Sequence, residues 1–462
     1  MRKRITAGTI GRLLCLLPAA YFAVSVLYAL LRFDEFAAAP HHFIRYVFVP
    51  GLLAALLAFV AFRLKETPRL HVGLNVCVVL FAMFAFEATQ QVKVVQRISK
   101  SVAPSSMDVE TVKATFDGLP PSRAPKSINA RLASEPVLAD AVLGGIPNSN
   151  VFLCTDGSEI VSYRADRFGY RNPDTIYDEP IDIVVLGDSF TEGYCLPNGA
   201  DFVSQLRNYA PQSASIALRG SGPLFELAML RRVAPILKPS KIYVAFYEGN
   251  DWANLERELT MAWLREALDP AANPGDFSLS PAMADDVREI TDSFWESDTA
   301  TEKLFTRSPF IRNFFALTQT MNALGLIYPE LPMEQPDFEA VLTGFKQTAA
   351  EIGAEVTLVY IPDRGRYQGV FKKGAAADYL RQEVLRAAKA VDLDVLDLAA
   401  MFEADDHPDR FYALNNGHFS KEGAAFAAAA VAEHAGAART MQGVPLQVGT
   451  SARVRLGQAN ER

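Results

Sequence analysis

Four short blocks carry residues that together could perform acyl transfer. They are Gly187-Asp188-Ser189, Arg219-Gly220-Ser221-Gly222, Glu248-Gly249-Asn250-Asp251 and Asn415-Asn416-Gly417-His418. A serine hydroxyl is a weak nucleophile until an adjacent base takes its proton. Neutral imidazole can do so near pH 7, which makes His418 the candidate base for Ser189. The tetrahedral intermediate then needs fixed donors at its oxyanion. The N–H of Ser189, the N–H of Gly220 and the side-chain amide of Asn250 suit that role. Asp188 is expected to brace the Ser189 turn, Asp251 to be a supporting residue, and Glu192 and Glu248 to bond the loops around the site.

Blander alternatives exist for each residue. Ser189 could simply N-cap a helix, and Asn250 could bond its own turn. His407 is a rival base, but Asp405-Asp406-His407-Pro408-Asp409 reads as a solvated acidic loop. Asp188, Asp251 and His418 lack the spacing of metal ligands. No G-x-S-x-G elbow, dinucleotide-binding glycine pattern, P-loop or Cys/His cluster is present, so neither metal nor cofactor is expected.

The blocks must be held by strand ends, where sites gather in open α/β sheets. Asp182–Leu186, Ser215–Leu218, Lys241–Tyr247, Glu355–Ile361 and Leu393–Leu398 read as short buried strands. Helical patterns over 201–208, 223–236, 337–352 and 375–391 separate them, and Ser420 can N-cap a last helix running to about His434. Alternating strands and helices predict a parallel sheet covered on both faces. Residues 252–336 are too long for an ordinary loop and read as an inserted helical lid, with helical stretches near 252–267, 283–296 and 308–324. Residues 91–150 read as a polar connector, and 437–462 as a disordered tail.

In this arrangement the sequence resembles the SGNH/GDSL hydrolase superfamily. Gly-Asp-Ser after the first strand, Gly220 after the second, Gly-Asn-Asp after the third and the late His418 match its four blocks in order. The resemblance covers about 180–255 and 355–435 and is greatest to the bacterial membrane-anchored branch. Tyr163–Asn172 (YRADRFGYRN) is similar to the lead-in segment of that branch. The resemblance implies a three-layer α/β/α sandwich on a flavodoxin-like sheet, over about 151–436, and a Ser–His acyl-enzyme site. One position departs from the pattern: the family has Asp three residues before the His, and this chain has Asn415. An Asn oxygen can orient imidazole but adds no charge, and in a serine protease the Asp→Asn change costs about 10⁴ in turnover. Asp405, Asp406 or Asp409 could substitute, or a backbone carbonyl could orient His418.

The composition points the same way. Half of the 462 residues are hydrophobic, and the net charge is −8. An acidic chain without a basic stretch beyond its first residues excludes nucleic acid as a partner. The apolar excess is concentrated in Leu13–Leu31, Tyr46–Phe62 and Leu70–Phe86, which read as three membrane spans within residues 1–90. Residues 1–100 hold 12 basic and 4 acidic side chains, a net of +8, leaving −16 for the rest. Arg2, Lys3, Arg4 and Arg12 at the N-terminus, and Arg63, Lys65 and Arg69 between spans two and three, place the N-terminus in the cytoplasm. Three spans then put the α/β domain outside the bacterial inner membrane. There Cys154 and Cys195 can pair, the alternative being two buried thiols.

The chain therefore reads as an extracytoplasmic serine esterase or acyl hydrolase. By analogy with the family, its substrate is an ester-linked acyl group on a cell-envelope glycan or lipid. The alternatives are an O-acyltransferase with the same Ser–His chemistry and, prompted by Asn415, a non-catalytic envelope scaffold. Expected partners are the acylated glycan or lipid, the membrane and envelope-assembly proteins.

Overall fold

A computed structural model describes residues 6–36, 40–102, 114–119, 124–132, 137–156, 159–276, 281–297, 310–326, 336–368, 370, 374–414 and 416–437. The chain forms two compact units. One comprises Met1–Gln96 with Phe305–Ile327, and the other comprises Arg97–Leu304 with Tyr328–Arg462.

The second unit is built on a five-stranded parallel sheet. Its strands are β3 (Ile183–Gly187), β4 (Ser213–Ala217), β5 (Lys241–Tyr247), β6 (Glu355–Ile361) and β7 (Asp394–Asp397), in the order β4-β3-β5-β6-β7. This is the flavodoxin-like order, growing outward on both sides of the first strand. Side chains alternate across the sheet with a period of two. Val184, Leu186, Ile242, Val244, Phe246, Leu358 and Tyr360 enter one core with helices Pro223–Leu237, Pro336–Glu351 and Gly374–Ala390. Ile183, Val185, Tyr243, Ala245, Val359 and Ile361 enter the other with Phe202–Leu206, Leu398–Glu403 and Lys421–His434. The expected three-layer sandwich is thus present. Ser420 caps the last helix by accepting from the Gly423 N–H. The 437–462 tail falls, beyond residue 437, outside the described residues.

An antiparallel hairpin that the strand patterns did not disclose precedes the sheet. Its strands are β1 (Asn150–Asp156) and β2 (Glu159–Arg164). Cys154 of β1 is disulfide-bonded to Cys195, their Cα atoms 5.4 Å apart, so the pair is not two free thiols. Residues expected as a connector add a satellite core: Leu119, Ile128, Val142 and Ile146 pack with Val287 and Phe294 of the helix Pro281–Ser297.

The 252–336 interval is consequently not one lid. Its first part belongs to the α/β unit, drawn there by Val287 and Phe294. Residues 310–326 belong to the other unit, where their aromatic side chains pack on apolar helices.

That unit contains three helices long and apolar enough to cross a membrane: Ala7–Leu31, Ile44–Arg63 and Glu66–Val94, the last part of a continuous helix to Val102. Small residues bring the first and third together. A Cβ on Gly11 would lie 3.2 Å from the Leu70 backbone, and one on Gly73 would lie 2.8 Å from the Leu14 Cβ. Close backbone approach of this kind is how helices associate in lipid.

The disulfide spans a sequence separation of 41 residues. Loop-closure entropy makes such a bridge worth about 3–4 kcal/mol. Paired Cys154→Ser and Cys195→Ser substitutions should lower the denaturant midpoint of the purified full chain accordingly. Tryptophan fluorescence reads this transition cleanly, because Trp252, Trp263 and Trp295 all lie in the α/β unit. An unchanged midpoint would show that the bridge does not constrain the fold.

Candidate active site

Parallel register brings the strand ends to one edge. Gly187 pairs with Ala217, and Leu186 pairs with Val244, so the loops after β3, β4 and β5 emerge side by side. The loop after β3 sits where the strand order reverses, the topological switch point of an open sheet.

At that point Ser189 opens a short helix, Ser189–Glu192. Gly187 admits no side chain, since a Cβ there would lie 2.3 Å from the Thr191 Oγ1. The helix cap is Asp188, whose carboxylate accepts the Phe190 N–H at 2.8 Å. This removes the N-cap alternative for Ser189, because its neighbour fills that position. The Ser189 hydroxyl instead lies 2.9 Å from His418 Nε2 and 3.4 Å from Asp188 Oδ2. The shorter contact is an ordinary O–H···N hydrogen bond and the longer is weak. The structure therefore joins the proposed nucleophile and base across 229 residues.

Asn250 reaches the same place. Its Nδ2 donates to Asp188 Oδ2 at 3.2 Å, leaving a second N–H, while its Oδ1 is buried without a partner. Asp188 thus fixes both neighbours. Burial raises its carboxyl group to about 6. Gly220 has φ +74°, a left-handed conformation that favours glycine. Among the described residues, the N–H groups of Ser189 and Gly220 bond no protein acceptor, which leaves them available to an oxyanion.

The loop carrying Gly220 is tied to the Ser189 helix by a buried ion pair. Glu192 accepts from the Arg219 N–H at 2.9 Å, from Nε at 3.0 Å and from Nη2 at 2.5 Å. Tyr163 of β2 adds a fourth donor at 2.9 Å. Arg171 fixes the segment that follows the Ser189 helix, donating to the carbonyls of Glu192, Gly193 and Leu196. Both Tyr163 and Arg171 lie in the lead-in segment 163–172. The sequence shows that segment only as similar to a lead-in of the family branch, without these contacts.

Among the described residues, Asp251 makes no hydrogen bond to Ser189, Asn250 or His418. It accepts the Tyr247 N–H at 2.6 Å and so braces the Asn250 turn. Behind it Glu258 accepts from Lys126 and from the N–H groups of Leu224 and Phe225. Burial, and then the charge of Asp251, push the neighbouring Glu226 carboxyl well above its ordinary value. Glu248 holds a different loop, pairing with the buried Arg366 at 2.7 Å. Among the described residues no group of side chains could hold a metal ion.

Among the described residues the imidazole has no acidic partner. With Nε2 accepting from Ser189, the ring proton resides on Nδ1. Nδ1 is buried and bonds to no described residue. Asn415 lies outside the described residues. Asn416 Oδ1 accepts the His418 backbone N–H at 2.9 Å and does not touch the ring. The expected substitutes do not reach it: Asp405 accepts from the His407 N–H and pairs with Arg410. His407 is exposed, as a loop residue should be. What flanks the ring is aromatic, with Tyr194 at 4.7 Å and Phe190 at 4.9 Å between centroids. Burial lowers the imidazole from 6.5 to about 4, against opposing effects of the Asn416 bond and the Glu192 charge.

Residues 332–458 match the family described as "SGNH hydrolase-like domain, acetyltransferase AlgX". The match takes in the His418 block and not the Ser189 block. No curated protein matches the chain by sequence. Several solved structures are partly similar. A lipase/acylhydrolase from Enterococcus faecalis is 16% identical, covering 55% of this chain and 95% of its own, with a TM-score of 0.30. A putative lipolytic protein of the G-D-S-L family from Desulfitobacterium hafniense DCB-2 is 15% identical over 55% of this chain and 98% of its own, with a TM-score of 0.27. The psychrotrophic esterase EstA from Pseudoalteromonas sp. is 10% identical over 55% of this chain and 94% of its own, with a TM-score of 0.28. At such scores these neighbours say nothing about chemistry here. The sheet order and the four strand-end blocks, together with the family match over residues 332–458, support SGNH superfamily membership for the α/β unit, of the hydrolase or acyltransferase kind.

Proposed function

We propose that this protein is a membrane-anchored enzyme that moves an acyl group through a Ser189 acyl-enzyme, with its α/β domain on the extracytoplasmic side. The observation that carries this is the 2.9 Å contact between Ser189 Oγ and His418 Nε2 at the switch point of the sheet. Ser189 Oγ adds to the carbonyl carbon of an ester while its proton passes to His418 Nε2. The N–H groups of Ser189 and Gly220 and the amide of Asn250 receive the oxyanion. Collapse expels the alcohol, which takes the proton back from His418, and the acyl group stays on Ser189. An acceptor hydroxyl then gives its proton to Nε2 and attacks the acyl carbon; collapse breaks the bond to Ser189 Oγ, which takes that proton back from His418, and the acylated acceptor leaves.

Water as acceptor gives hydrolysis, and a sugar hydroxyl gives transfer. The matched family is described as an acetyltransferase, which favours a hydroxyl acceptor and a small acyl group. The basic, apolar first hundred residues and the acidic remainder support an envelope glycan as that acceptor, with envelope-assembly proteins supplying the donor. Hydrolysis of an acyl ester on an envelope glycan or lipid is the second reading, favoured by the simple Ser–His pair. The Ser189–His418 contact favours both readings over a scaffold role.

The aromatic neighbours take on added weight here. Imidazolium forms transiently with no carboxylate at Nδ1. An aromatic ring within about 6 Å stabilises a cation by roughly 0.5–2 kcal/mol. Tyr194 is therefore a positioning residue, held in place by the disulfide at its neighbour Cys195.

A fluorophosphonate probe should label the purified full chain, and Ser189→Ala should abolish labelling. His418→Ala should slow it by roughly 10²–10⁴-fold, the usual worth of a general base. Equal labelling of wild type and Ser189→Ala would overturn the mechanism. Product analysis with and without a glycan acceptor separates the two readings, since only transfer yields acylated glycan.

The pH profile follows from the lowered imidazole. The base stays neutral down to about pH 4, so the acid limb of kcat/KM should fall near 4 and not near 6.5. Asp188→Asn keeps the cap and should leave that limb in place. Folding stability moves with the same proton: as pH drops from 6.5 toward 4 only the unfolded chain binds it, so stability declines through that window.

Tyr194→Ala should lower kcat roughly 2- to 30-fold with little change in KM, and Tyr194→Phe should restore it. An unchanged kcat in Tyr194→Ala would remove the ring from the mechanism.

A further inference from the structure

Two short helices, Phe310–Phe315 and Thr318–Leu324, pack on the apolar spans within their unit. Their contacts follow the outer half of those spans. The Arg312 guanidinium lies 5.7 Å over the ring of Phe36, just past the end of the first span. The Phe315 carbonyl accepts from Tyr21 Oη at 2.7 Å. Tyr21 is ten residues before Leu31, or about 15 Å along a helix axis. That is about half of a 30 Å hydrocarbon core. On the third span, Phe84 contacts Phe314 at 5.3 Å and Phe315 at 6.2 Å between ring centroids.

The break between the two helices is where a bilayer would be least forgiving, because lipid offers no partner to irregular backbone. Leu317 there adopts φ +52°. Yet side chains of the spans meet the groups it frees. Glu87 is fully buried and accepts from the Gln319 N–H at 3.1 Å, the Thr320 N–H at 2.7 Å and the Thr320 hydroxyl at 2.9 Å. Gln91 donates to the same carboxylate at 2.9 Å. Tyr21 meets the Phe315 carbonyl. A hairpin in water would need none of these side chains.

Its outward face is as apolar as the lipid-facing sides of the spans. Ile311 is 77% exposed and Phe315 is 57% exposed, beside Phe81 at 74% on the third span. Phe310, Ile311, Phe314 and Phe315, with Gln91, line an open groove of about 250 Å³. We propose that residues 310–326 form a re-entrant membrane hairpin, a fourth membrane-embedded element supplied from within the enzyme domain, whose groove takes lipid acyl chains. The continuity of this face with the spans selects lipid as its occupant. Glu87 is the latch that holds the hairpin at depth.

The test uses the full chain in nanodiscs whose lipids carry bromine on the acyl chain. Ile311→Trp changes an exposed side chain, and its emission should be quenched beyond that of the three native tryptophans. Tyr379→Trp, at a 48% exposed position of the α/β unit, is the control and should not be. Glu87→Ala should reduce the quenching of Ile311→Trp by several-fold, and Glu87→Gln should largely retain it. Quenching of Ile311→Trp no greater than in the control overturns the proposal. So does a blue-shifted emission that bromine leaves untouched, which would mean that protein covers the groove. Fluorophosphonate labelling of Ser189 is read separately, so failure of the hairpin and failure of the acyl-enzyme are distinguishable.

Discussion

Glu192 and Arg219 form a buried ion pair on which the site geometry rests. Burying two charges costs several kcal/mol per ion, and attraction offsets it only when the remaining lone pairs and protons are also met. Here the carboxylate has three donors from Arg219 and a fourth from Tyr163. Because one of them is the Arg219 backbone N–H, the loop after β4 cannot slide relative to the Ser189 helix. The next residue is Gly220, whose N–H is left unspent. The pair thus converts a charge interaction into a fixed position for that N–H, as the proposed oxyanion role requires. Removing either partner would leave an uncompensated buried charge and shift the β2 hairpin as well as the loop.

The base is organised differently. In a Ser–His–Asp triad a carboxylate orients the ring and stabilises its protonated form. Among the described residues His418 Nδ1 has no partner; its ring is flanked by Phe190 and Tyr194, and its backbone is fixed by Asn416. Packing can orient an imidazole without charge, but it stabilises imidazolium less. Burial without a carboxylate gives a base that stays neutral to low pH and is correspondingly weak.

Much of the α/β unit was legible because its signals are local. Strands β5 and β6 begin and end where their apolar runs do, and Ser420 caps the helix that its position predicts. Ser189, Gly220, Asn250 and His418 were legible because each follows a strand end or precedes the last helix. The hairpin β1–β2 was not. Its residues Asn150–Arg164 mix polar and apolar side chains, and its role depends on Tyr163 and Cys154 reaching partners tens of residues away. The Glu192–Arg219 pair was hidden for the same reason, as spacing shows that charges exist and not that they meet. The third-member position stayed open because Asn415 changed the one residue by which the pattern is recognised.

The division of 252–336 has the same physical root. Helical periodicity marks an amphipathic segment but does not say what covers its apolar face. Val287 and Phe294 found a satellite core of the α/β unit, and Phe314 and Phe315 found the spans. In both units a buried carboxylate then fixes what apolar packing has gathered: Glu192 beside the nucleophile and Glu87 at the break of the hairpin. Each is surrounded by donors that include backbone N–H groups of the element it holds. Apolar contacts supply affinity without register, whereas a desolvated carboxylate tolerates only the register that satisfies it. That difference explains why an insertion so rich in aromatics can still settle in one position.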